Sequence, residues 1–313
     1  MTKKDDWYLN RRWDDAARAD FDAHVRRARK GYSRAWYFIV KARGLWAGGE
    51  GEPPRHDAAL DLLARGLVES GDGDGAERML RKELALFQLS AGDRRAGIDS
   101  LRRSIASPAA NPRWGKDGET QVLLARCLID GGDYASAIRL FKQVYASAYQ
   151  RPRYAALERL PVAGHDGKPF AHPDDAAEFV VTYHHAAEPD EAAVPEVTAG
   201  DRTSIAALDR HFAIIEPRFR EPLRRPFHPA TTYTKDFLEQ HFVPEFGAFL
   251  GRVLVNTARG KWIVRAPLMK SRIKLGTREL NPFRAAFATA FYEIPLAVAL
   301  EQIESKQPRF ALP

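Results

Sequence analysis

Gly71-Asp72, Gly92-Asp93 and Gly132-Asp133 each break a run of apolar residues spaced three and four apart, and this recurring break between residues 58 and 146 commits the chain to stacked helices. The runs are Leu60, Leu63, Ala64 and Leu67, then Ala76, Leu80 and Leu84, then Ile98 and Leu101, and Leu124, Ala125 and Leu128 followed by Ala137, Ile138 and Phe141. Each break reads the same way. Glycine ends one helix in the left-handed conformation, aspartate caps the next, and a small residue one turn on lets the partner helix approach closely. The third unit carries Ala137 at that place and the second carries Gly97.

The stretch from Gly132 through Phe141, Gly-Asp-Tyr-Ala-Ser-Ala-Ile-Arg-Leu-Phe, resembles the turn and second helix of a tetratricopeptide repeat, and the Gly92-Asp93 unit is similar. The turns stand 21 and 40 residues apart, so the array is irregular, with an insertion expected between Ser107 and Gly118 around Pro108, Asn111-Pro112 and Trp114. Upstream, Trp7, Trp13, Phe21, Val25 and Ala28 form a helical stripe that resembles the start of a group of bacterial tetratricopeptide-repeat proteins. That resemblance implies a capping helix pair and no chemistry. Trp36, Tyr37, Phe38 and Trp46 make the next segment unusually aromatic. Two readings stand open there: rings that fill the first layer between helices, or rings that line a groove and stack on a partner. On the second, Trp36, Tyr37 and Trp46 are the candidate contact residues of the array.

Charge divides the chain where periodicity does. Residues 1–160 carry 29 basic and 22 acidic side chains, residues 161–216 carry 3 and 11, and residues 217–313 carry 16 and 8. The acidic middle is punctuated by prolines from Pro161 to Pro229, and Glu188 to Gly200 reads as a linker. Two short helices fit inside it, one capped by Asp174 or Asp175 and one by Thr203 or Ser204. The expected organisation is a helical repeat domain over 1–160, an acidic proline-rich linker over 161–229, and a small α+β domain over 230–313.

In that last segment a helix is expected over 231–251, with Pro244 permitting a kink. Val253-Leu254-Val255, Lys261 to Arg265 and Arg272 to Leu275 then read as short strands, and Asn281-Pro282 opens a closing helix that Pro295 bends. The order Phe249-Leu-Gly-Arg-Val-Leu-Val, Arg259-Gly-Lys-Trp-Ile-Val, Ile273-Lys-Leu-Gly and Leu280-Asn-Pro-Phe resembles a module of bacterial immunity and regulatory proteins of toxin systems, departing from it with Arg252 where an acidic residue is common. The resemblance implies a protein partner and no catalytic residues. Lys261, Arg265, Arg272 and Lys274 alternate with apolar residues and can share one face. That face is a solvated sheet surface, a dock for an acidic protein or a phosphate backbone, or a seat for the acidic segment of the same chain.

Signals for catalysis are missing. The sequence has no Gly-x-Gly-x-x-Gly, no Gly-x-x-x-x-Gly-Lys-Ser/Thr and no Gly-x-Ser-x-Gly. Its one cysteine, Cys127, sits on an apolar helix face beside Leu124 and Leu128. Seven of nine histidines, His165, His172, His184, His185, His211, His228 and His241, fall in the middle and the segment after it, but the zinc pattern of two histidines four apart around a glutamate does not occur. Neither a signal peptide nor about 18 consecutive apolar residues is found. The expectation is a mostly α protein, a tetratricopeptide-like array joined to an α+β domain with an antiparallel sheet of about three strands. It is expected to work in the cytoplasm as a non-enzymatic protein-binding module without metal or cofactor, with nucleic-acid association through the basic sheet face as the alternative.

Overall fold

The computed structural model describes residues 11–49, 51–70, 75–107, 118–147, 152–164, 166–186, 197, 200–212, 216–218, 221–224 and 234–313. The Gly71-Asp72 turn, Trp7, Trp114 with its insertion, His165, His228 and most of the linker at 188–200 lie outside these residues. The fold is mostly α, and its contacts divide into two compact units: residues 1–127 with 217–224, and residues 128–216 with 225–313. The division falls within a helix, ahead of residue 160. Much of the segment read as a linker belongs to the second unit.

The first unit is a succession of helices α1 (Asp15–Arg27), α2 (Tyr32–Ala47), α3 (His56–Glu69), α4 (Ala76–Ser90), α5 (Arg94–Ala106) and the start of α6 (Gly118–Asp130). From α2 to α5 each packs on the next. Local chemistry sets the turns. Gly92 takes φ 84°, Asp93 accepts a hydrogen bond from the Ala96 amide at 3.0 Å, and α5 begins. Gly97 faces the Leu89 side chain, where a Cβ would stand 2.6 Å from Cγ, and Gly66 faces Phe38 in the same manner across α2 and α3. The core is built from Phe21, Phe38, Leu45, Leu63, Leu80 and Phe87, all at or below 1% exposure. Phe21 meets Phe38 edge-on at 5.3 Å.

The second unit holds the rest of α6, then α7 (Tyr134–Ser147), α8 (Tyr154–Leu157), α9 (Pro173–Ala186) and α10 (Arg202–Phe212). Gly132, at φ 78°, and Asp133, accepting from the Ser136 amide, repeat the turn at the start of α7. The two helices of the acidic segment exist, with other caps. His172 Nδ1 accepts from the Asp174 amide while Asp175 accepts from the His172 amide, a reciprocal cap built on histidine. Asp201 takes the Ser204 amide and the Thr203 hydroxyl, so it caps α10 one residue before Arg202. Strands β1 (Glu216–Arg218) and β2 (Glu221–Arg224) form a two-stranded ribbon that, from residue 217 on, belongs to the first unit.

Beyond them, α11 (Lys235–Phe237) runs through a π turn at Leu238–Phe242 into α12 (Val243–Ala258). The permitted kink takes this form because Pro244 has no amide for the carbonyl four residues back, and widening the turn lets Val243 reach the Leu238 carbonyl instead. Val253-Leu254-Val255, expected as a strand, lies inside α12. Val253 and Leu254 are fully buried and continue the stripe of Phe246, Phe249 and Leu250 at helical spacing, and that burial overrides the strand preference of valine.

The sheet instead comprises β3 (Lys261–Ile263), β4 (Arg272–Leu275) and β5 (Arg278–Leu280), antiparallel in the order β3-β4-β5. Two helices follow, α13 (Pro282–Tyr292), capped by Asn281, and α14 (Leu296–Glu304), with the chain turning at Glu293 and Pro295 between them. The core of this unit is α12 against α9 on one side and α13 on another. Gly247 admits α13, since a Cβ there would stand 2.7 Å from the Phe283 Cα, and Gly251 admits the Trp262 ring. Because the obstacle at Gly247 is backbone, Gly247→Ala is expected to lower the unfolding free energy by about 2 kcal/mol, despite the better helix propensity of alanine. Urea unfolding checks it; an unchanged midpoint would show that the interhelical seam has slack.

Candidate functional site

Arg272 is the expected site residue with the most partners. Its guanidinium donates to the Met269 carbonyl at 3.0 Å, to the Ser271 carbonyl at 2.8 Å and to Glu158 Oε1 at 2.6 Å. The same carboxylate oxygen accepts from Asn281 Nδ2 at 3.3 Å, and Asn281 Oδ1 accepts both the Arg284 amide and the Tyr154 hydroxyl. Burial raises the Tyr154 pKa well above that of an ordinary phenol, so the hydroxyl stays a donor. Four side chains distant in sequence thus lock one another: Tyr154 and Glu158 from the α8 region, Arg272 from β4, and Asn281 from the cap of α13.

This network forms one wall of a cleft of about 730 Å³. Lys142 of α7, Arg153 before α8 and Arg284 of α13 line it, and the buried Phe287 and Tyr292 lie beneath them. No sequence signal announced it. Asn281-Pro282 is legible as a helix start, but Lys142, Arg153 and Arg284 stand in no motif.

The basic sheet face is thinner than expected. Lys261 pairs across the ladder with Lys274, and Lys274 with Glu279, so these three form one exposed row; Ile263 and Arg272 form the next row of the same face. Trp262, Ile273 and Leu280 pair on the opposite, core-facing side. Arg265 lies past β3, where it is ion-paired with Glu279 at 2.9 Å. Of the four expected cations, Arg265 and Arg272 are thus held by carboxylates of this unit. Lys261 and Lys274 are the two left on the open row.

Part of the acidic segment does dock internally, on other residues. Arg252 donates to Glu178 at 2.7 Å and to the Asp174 carbonyl at 2.6 Å, and the Trp262 indole donates to Asp174 at 3.2 Å. The arginine standing where the resembled module carries an acid therefore ties α12 to α9.

In the first unit the three aromatic candidates separate. Trp46 is 8% exposed and stacked between His56, at 4.2 Å, and Phe87, at 4.5 Å, so it belongs to the core. Tyr37 is half-buried. Trp36 is 43% exposed and Tyr32, one turn earlier, 48%. These two rings form an open ridge on α2.

Among the described residues no group of three or more His, Cys, Asp or Glu is placed to hold a metal ion, and no helix is long and apolar enough to cross a membrane. The Cys127 thiol is buried, as its position among apolar residues suggested. No protein-family model, curated protein or solved structure matches the chain.

Proposed function

We propose that the chain is a non-catalytic protein-binding module that offers the open ridge of α2 to a protein partner. The observation that carries this reading is the pair Tyr32 and Trp36, two large rings one helical turn apart with nearly half of each side chain in solvent. Aromatic rings of this kind supply most of the affinity where a few residues dominate an interface. Here the adjoining face of α2 is anchored through Ala35, Phe38, Ile39 and Ala42, so the rings are displayed on a rigid element. The net charge of +7 favours an acidic partner through faster encounter. A cytoplasmic immunity or regulatory role in a bacterial toxin system is the concrete form of this reading. It rests on the resemblance of the segment from Phe249 to Phe283, as the repeat-protein reading rests on the Gly-Asp turns.

The test is capture of partners from nuclease-treated lysate of the source organism, at low salt and at about 0.3 M salt, with wild type, Tyr32→Ala/Trp36→Ala and Lys261→Ala/Lys274→Ala. The expected result is one protein retained at both salts by wild type and by the lysine variant and lost by the aromatic variant. Nucleic acid held only at low salt, and lost with the lysines, would overturn it in favour of phosphate-backbone binding.

A further inference from the structure

The cleft beside Arg272 has no part in the reading of α2, and its chemistry is of another kind. Four cations, Lys142, Arg153, Arg272 and Arg284, line it against one side-chain carboxylate, Glu158, together with Pro313, the last residue of the sequence. The Glu158 carboxylate is committed to Arg272 and Asn281, so it neutralises the wall and leaves the mouth positive. Among the described residues Lys142 and Arg153 make no ion pair. Arg284 spends only its Nε, on the Pro313 carbonyl at 2.8 Å. The start of α13 adds the positive end of an eleven-residue helix, capped at Asn281.

Three side chains with unspent donors, mounted on separate elements and converging on one cavity, suit a multiply charged anion better than a single carboxylate. Guanidinium forks match phosphate oxygens in pairs. A volume of about 730 Å³ exceeds what a bare inorganic anion fills and falls in the range of small-molecule sites. Phe287 and Tyr292, at 1% and 2% exposure, lie beneath the lining and fix the floor from which these cations project.

We propose that this cleft binds a small organic phosphate of nucleotide size, its phosphates held by Lys142, Arg153 and Arg284. The Tyr154–Glu158–Arg272–Asn281 network holds the wall in place and need not touch the ligand.

Isothermal titration of the full chain with ADP, ribose 5-phosphate, pyrophosphate and citrate tests this. The expected result is saturable ADP binding, weakened at least tenfold in Lys142→Ala/Arg153→Ala and unchanged in Lys261→Ala/Lys274→Ala, since a hydrogen bond to a charged group is worth about a factor of ten or more. The first variant removes no described ion pair, so its melting temperature without ligand should equal that of wild type; Arg284→Gln is the second variant should it not. No saturation by any of the three phosphates below about 1 mM would overturn the proposal. So would equal ADP affinity in wild type and both cleft variants, equal loss in the sheet variant, or tighter binding of citrate than of every phosphate.

Discussion

Replacing Arg43 by methionine is expected to lower the unfolding free energy by about 3 kcal/mol, because the substitution strands a carboxylate inside the first unit. Arg43 of α2 reaches Glu83 of α4 with both arms of its fork, at 2.5 and 2.6 Å. The glutamate side chain is 6% exposed, the arginine 30%. A surface pair would contribute less than about 1 kcal/mol. Here the acid has been taken out of water, so what matters is the charge left behind when its partner goes. Arg43→Met should therefore shift the urea midpoint markedly, and Arg43→Met/Glu83→Leu should recover most of the loss, since a buried pair exchanged for apolar groups of similar volume is close to neutral. A double variant as unstable as the single one would show that the pair itself contributes the stability.

Stability should also fall as pH rises through neutrality. Glu245 lies 5% exposed in α12, with His241 Nδ1 3.5 Å away, and burial pushes its pKa up to about 8 from the ordinary 4.5. Below about pH 4.5 the group is protonated in both folded and unfolded chains and contributes no pH dependence. Between about 4.5 and 8 the unfolded chain gives up this proton and the folded chain keeps it, so unfolding gains free energy with each unit. At ~1.4 kcal/mol per unit the deficit reaches about 5 kcal/mol above pH 8. Asp209, pushed by burial to about 6 despite accepting the Leu296 and Ala297 amides, acts with the same sign at lower pH. Comparison with Glu245→Gln isolates the first group: equal stability near pH 4.5, and a variant several kcal/mol more stable than wild type at pH 9. Parallel curves would mean that the carboxylate is ionised in the fold.

What could be read in advance follows the range of the forces involved. The turns at Gly92-Asp93 and Gly132-Asp133 are local, a left-handed glycine and a cap within four residues, and they stand as expected. Strand pairing failed where local preference and burial disagree. Val253 to Val255 has strand-forming residues, but only the neighbours α9 and α13 show that the stripe must turn every 3.6 residues. Strand β5 was passed over although its signal is present, since Leu275 pairs with Arg278 across the two-residue loop Gly276-Thr277, with Gly276 at φ 60°. The aromatic segment divided along the helix itself: Trp36 projects from the face that Ala35 and Phe38 leave outward, whereas Trp46 reaches α4. The cleft was out of reach of any linear reading, because Lys142 and Arg284 acquire a common purpose only through the packing of α7 on α13.

The docking of α9 on α12 has a consequence during synthesis. The buried face of α9, with Ala176, Ala177 and Val180, has as its principal partner a helix that ends 72 residues further along the chain. At roughly 5–20 residues per second the ribosome needs roughly 4–15 seconds to deliver that partner. Throughout this interval the apolar residues of this segment lack their main packing partner, and a stretch of 14 residues is a marginal helix on its own. Asp174, Asp175 and Glu178 lie along it, and two of them stay unpaired until Arg252 emerges to take them.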